Sequence, residues 1–89
     1  MGRYEIAGAE LAPLAGTAPN AETFFELGIL YATGREVAPD LVAAHKWFNL
    51  AAIKGNHEAA VHRQQIAGEM SAKEIAEAQR AAREWLRLH

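Results

Sequence analysis

Apolar residues recur at three- and four-residue spacing along much of the chain after Asn20, and strand-like alternation is absent. Phe24, Leu27, Gly28, Leu30 and Tyr31 lie on one face of a helix predicted over Ala21 to Thr33. Asn20 is suited to cap its start, with Thr23 at the third helical position, and Gly34 is suited to end it in the left-handed conformation. Pro39 and Asp40 then announce a second helix, from Leu41 to Lys54, whose free N–H groups the Asp40 carboxylate can cap. Leu41, Ala44, Trp47, Phe48, Ala51 and Ala52 line its predicted buried face. Gly55 stops it, and Lys54 complements the dipole in the last turn. With only Gly34 to Pro39 between them, the two helices are expected to fold back as an antiparallel hairpin.

A third helix is predicted from about His57 to Gly68, with Ala59, Ala60, Ile66 and Ala67 inward and Arg63 and Gln64 interrupting the stripe. The fourth starts at Ser71, because Ser71 and Glu74 have the spacing of a reciprocal capping box. It continues through Ile75, Ala78, Ala82, Trp85 and Leu86 to near Arg87. Residues 1–20 are rich in Ala, Gly and Pro, and Pro13, Gly16 and Pro19 punctuate them too often for a long helix. They read as a flexible arm or partial cap, with one helical turn around Glu10 to Leu14 and with Leu11 and Leu14 available to cover the first helix.

Small residues at Gly28, Ala44, Ala51 and Ala52 stand opposite large ones at Leu27, Tyr31, Trp47 and Phe48, a combination that lets two helices approach closely and interlock. The stretch Ala21 to Asn56 carries Leu27-Gly28-x-Leu30-Tyr31-x-x-Gly34, then Val37 and Asp40, then Ala44-x-x-Trp47-Phe48 and Ala51-Ala52-x-x-Gly55. In these residues it resembles one complete Sel-1-like repeat, a bacterial and eukaryotic relative of the tetratricopeptide repeat. Residues 57–89 resemble a degenerate closing repeat, most clearly over Met70 to Trp85. Glu36 stands where that repeat usually has a second glycine, its proline usually falls nearer Ala38 than Pro39, and Arg63 and Gln64 replace a Leu-Gly pair.

The resemblance implies an all-α fold of about four helices, in which antiparallel hairpins stack as a short right-handed α-solenoid. It further implies a non-catalytic adaptor or scaffold that binds a peptide or protein surface on its concave side. Stacked repeats usually need about three units for stability. This chain supplies fewer, so the alternative function is a structural unit that self-associates into a homo-oligomer.

Composition narrows the field. A chain of 89 residues accommodates a single core. A net charge of −2 with acids and bases interspersed provides no basic stripe for nucleic acid and no polybasic segment for a membrane surface. Polar residues break every apolar run well short of the roughly 20 residues a membrane-spanning helix needs. The absence of cysteine leaves no disulfide framework and no thiolate site. A cytoplasmic location is expected, or a periplasmic one if a signal peptide has been removed.

Catalytic and metal chemistry find little purchase. His57 and His62 sit near the His-Glu-x-x-His pattern of zinc-protease helices, but a spacing of five places their side chains about 140° apart, so one helix cannot aim both at one ion. His45 beside the buried face is expected to be packed and hydrogen-bonded, with no carboxylate positioned near it. Ser71 is accounted for by its cap, and the scattered glycines form no phosphate-cradling loop, so no cofactor is expected. Arg80 and Glu84 read as an exposed i,i+4 pair worth tenths of a kcal/mol.

The adjacent Phe24 and Phe25 point about 100° apart and cannot share one stripe. With Phe24 assigned to the core, Phe25 and Ile29 form a second apolar line flanked by Glu22 and Thr33. On one reading Phe25 and Ile29 are anchors of a protein-binding groove, with Glu58 and His62 of the third helix as its polar rim. On the other they belong to the core, covered by the third helix or by the arm.

Overall fold

A computed structural model describes residues 20–89. These form four helices: α1 (Ala21–Thr33), α2 (Leu41–Ile53), α3 (His57–Ala67) and α4 (Ala72–Leu88). The all-α class and the helix number match the sequence expectation, and the observed limits differ from it by a residue or two at the ends. The expected arm, with Leu11 and Leu14, lies outside the described residues.

Each start is fixed by the cap its sequence encodes. Asn20 accepts from the Thr23 N–H at 2.9 Å, Asp40 from Ala43 at 3.1 Å, and Ser71 from Glu74 at 3.1 Å while Glu74 Oε1 accepts the Ser71 N–H. The start of α3 adds an economy that the sequence reading missed. The Asn56 side chain accepts from Ala59 at 2.8 Å, while its own N–H donates to Ala51 O and the Gly55 N–H donates to Ala52 O. That bond pair is a Schellman closure with Gly55 left-handed at φ 105°. One residue therefore finishes α2 and begins α3, which ties their relative orientation to a two-residue corner.

The α1–α2 loop turns at Gly34 (φ 76°), whose N–H bonds Leu30 O, and is pinned by the Asp40 N–H to Tyr31 O bond at 3.0 Å. Glu36 is also left-handed, at φ 69°, the lone non-glycine residue with positive φ among those described. A side chain in that conformation costs roughly 1 kcal/mol relative to glycine. The position at which the sequence departs from the repeat pattern is thus the position at which glycine would relieve strain.

Helix α2 is the hub. It packs extensively on α1 as a hairpin, and α3 and α4 are each seated on it as well, whereas α1 touches α3 only lightly. The core follows from this arrangement: Phe24, Leu27, Ala44, Trp47, Phe48, Leu50, Ala51, Ala59, Ala78 and Ala82 are buried. Leu50, and the buried His45 beside this core, lie outside the stripe expected from the sequence, because a helix contacted from several sides buries more than one face.

The adjacent phenylalanines divide between two aromatic clusters on either flank of the hairpin. Phe24 stacks on Trp47 at 5.7 Å between centroids and meets Trp85 of α4 edge-on at 5.1 Å. Phe25 meets Phe48 at 5.8 Å and the His62 ring of α3 edge-on at 5.1 Å. Such pairs add roughly 0.5–1.5 kcal/mol each beyond area burial. The Phe-Phe pair thus sends one ring of α1 to each later helix, while α2 carries most of the packing that seats them. At the far end of α4 the exposed ion pair joins Glu84 to Arg87, not to Arg80, and Leu86 is 41% exposed instead of inward.

Candidate functional site

Glu22, Phe25, Ile29 and Thr33 fall three or four residues apart, so they run along one line of α1. Phe25 and Ile29 are partly buried and pack against the core cluster. Glu22 is exposed in the first turn, where its charge complements the N-terminal end of the helix dipole. Thr33 is exposed at the other end and donates its hydroxyl to Ile29 O at 2.8 Å. The line is therefore bounded by a carboxylate and by a hydroxyl engaged with its own helix.

His62 is brought to this line from α3. Its ring lies edge-on to Phe25 and 5.3 Å from the Phe48 centroid. Its Nδ1 donates to Glu58 O at 2.9 Å, one helical turn earlier. Since a carbonyl can only accept, that bond puts the neutral ring's proton on Nδ1 and leaves Nε2 as an acceptor. Glu58 is exposed in the first turn of α3. Phe25 and His62 are thus in contact, Ile29 is one turn along from Phe25, and Glu22, Thr33 and Glu58 occupy exposed ends. Chemically, this is an apolar step with one ring acceptor beside it, suited to receiving an apolar side chain.

His57 is exposed at the start of α3, a turn and a half from His62. Among the described residues no three His, Cys, Asp or Glu side chains come together in a way that could hold a metal ion.

Of the polar groups packed between α2 and α3, His45 was expected from the sequence and the Arg63–Asn49 pair was not. Arg63 donates to Asn49 Oδ1 at 2.6 Å, a bond that crosses from α3 to α2. His45, one turn before Asn49, is 3% exposed, and its Nδ1 has no hydrogen-bond partner. The expectation of a packed histidine is met, and that of a hydrogen-bonded one is not met at Nδ1. Burial pushes its pKa below the ordinary 6.5, Arg63 pushes the same way, and a contact with its own backbone opposes them. The next residue, Lys46, places its amine 4.3 Å over the Trp47 ring, and burial lowers the pKa of that amine too.

No helix among the described residues is long and apolar enough to cross a membrane. Comparison with protein-family models, with curated proteins and with solved structures returned no match.

Proposed function

We propose that this chain is a Sel-1-like repeat module that binds another protein or peptide without catalysing a reaction, and that the Phe25–Ile29 line of α1 is its contact surface. The observation that carries the reading is the partial exposure of Phe25 and Ile29 beside His62, on helices whose backbones are otherwise satisfied by caps. An apolar step on a rigid helix pair serves as an anchor for a partner side chain at little entropic cost. The hairpin supports the family reading, since Gly28 admits Phe48 and Gly34 turns left-handed at the positions of the repeat pattern.

The test is an affinity capture from extract with the full chain and with the Phe25→Asp, Ile29→Asp double variant, helical content being matched by circular dichroism. The proposal expects specific partners to be lost from the variant. A folded variant that retains every specific partner removes this surface as the binding site.

The alternative, self-association as a structural unit, draws on Ile53, Val61, Leu86 and Leu88, large apolar side chains that are 41% to 64% exposed. Light scattering over a wide concentration range separates the two readings: a constant monomer mass favours the adaptor, and a mass rising with concentration favours assembly.

A further inference from the structure

We propose that His45 is an acid-sensitive latch between α2 and α3, which holds the third helix in place while neutral and releases it when protonated. The geometry points to it on three counts. The imidazole is shut off from water, with 3% of the residue exposed. Its Nδ1 has no hydrogen-bond partner, so the second N–H of an imidazolium would be buried without an acceptor. And Arg63, spanning from α3 to Asn49, places a positive charge close enough to act on the ring.

Nothing among the described charged groups offsets a second positive charge there. On α3 the charged group at this seam is Arg63; the His62 ring lies against Phe25 and Phe48, and His57 and the helix's one carboxylate, Glu58, are exposed in its first turn. On α1 the carboxylates Glu22 and Glu26 are exposed. On α4 every charged side chain is exposed, and its buried residues are Ala78 and Ala82. On α2 itself Lys46 is the other ionisable group, and the capping Asp40 already accepts from Ala43.

The consequence falls on α3 because it contributes the fewest buried residues of the four helices. Ala59 is its one fully buried residue, Ile66 packs partly buried against the core, and the polar and aromatic ties are the Arg63–Asn49 bond, the Asn56 corner and the His62 ring against Phe25 and Phe48. Local opening of an element that buries so few residues needs less free energy than unfolding the hairpin. Release of α3 would uncover Phe25 and Phe48, so acid would remodel the surface proposed above as the contact site; the latch itself does not depend on that assignment.

The sign follows from linkage. The unfolded chain, with an ordinary histidine pKa near 6.5, takes up the proton before the folded one, whose value is lower. Above about pH 6.5 the group adds no slope; below it, the opening constant rises by up to tenfold per pH unit until the folded pKa is reached.

The experiment follows the full chain from about pH 8 to about pH 5 by urea unfolding, by NMR titration of the histidine rings and by amide exchange corrected for intrinsic rate. The latch predicts a His45 midpoint below 6.5. It also predicts that the amides of α3 lose protection at acid pH before those of α1 and α2, and that His45→Gln removes an acid-side rise in the unfolding constant of up to tenfold per pH unit. A His45 midpoint at or above 6.5, an unchanged acid slope in a folded His45→Gln variant, or a loss of protection shared equally by all helices would each overturn it. Should His45→Gln fail to fold, the ring titration and exchange order of the unaltered chain decide the matter.

Discussion

Replacing Trp47 by alanine is expected to lower the free energy of unfolding by roughly 3–5 kcal/mol. Trp47 is 3% exposed at the centre of α2, stacked on Phe24 of α1 and edge-on to Trp85 of α4 at 6.2 Å, with the Lys46 amine over its outer face. Its removal opens a void bordered by both partner rings and forfeits two aromatic contacts at once. Because three helices converge on it, collapse into the void requires α4 to move against α2, so relaxation recovers little of the loss. A domain this small holds a net stability of only about 5 kcal/mol, so the variant should keep no more than about 2 kcal/mol and be marginally stable at room temperature. Urea or thermal unfolding followed by circular dichroism measures it. A loss under about 1 kcal/mol would show that Trp47 does not join the three helices.

The second large effect is expected at Gly28. In an exposed helix, Gly→Ala gains about 1 kcal/mol from helix propensity. Here a Cβ would clash with Cδ1 and Cε1 of the Phe48 ring, with Cγ 3.0 Å away. Phe48 is fully buried and wedged against Phe25 and His62, so it has nowhere to retreat. Overpacking of this kind typically costs 1–3 kcal/mol, and the rigid ring places the cost near the upper end, so steric loss outweighs propensity gain. Gly28→Ala should therefore destabilise by about 1–2 kcal/mol net, and Gly28→Leu by more. The same Gly28→Ala change made in a Phe48→Leu background should cost less, giving a coupling energy of at least about 0.5 kcal/mol in a double-mutant cycle. Additive effects would separate the two residues.

Much of the fold was legible because its signals are local. Asn20, Asp40, Ser71 and Gly34 each act within one turn of their own helix, and each does in the structure what its chemistry announces. The burial pattern of α2 was less legible for a geometric reason. Reading one apolar stripe captured Ala44, Trp47, Phe48 and Ala51 and missed His45 and Leu50, which face the helices on its other sides. A signal was present: Leu41, Ala44, Trp47 and Leu50 spread apolar character over about half of the circumference of α2, wider than the stripe of a helix packed on one side.

Asn56 was overlooked because a Gly-Asn pair after Lys54 reads as a simple stop, and its second task appears only once the next helix is known to start immediately. Arg80 and Arg87 stand at equally permitted spacings from Glu84, and an exposed pair is chosen by tenths of a kcal/mol that no sequence pattern resolves. The Phe25 line presented the same ambiguity at the candidate site. Its residues were identifiable from spacing, but how much of Phe25 the His62 ring covers depends on the angle at the Asn56 corner, a tertiary quantity.

The account stands on the close approach of α1 and α2 at Gly28, which sends Phe24 to one flank, Phe25 to the other, and leaves the latter partly open. The most direct test is an NMR nuclear Overhauser measurement between the Gly28 α-protons and the Phe48 ring protons in the assigned full chain. The structure predicts strong cross-peaks, with the glycine protons shifted by the ring current. An assigned spectrum lacking those cross-peaks, with the Phe48 ring reporting other neighbours, would contradict the hairpin and the contact surface built upon it.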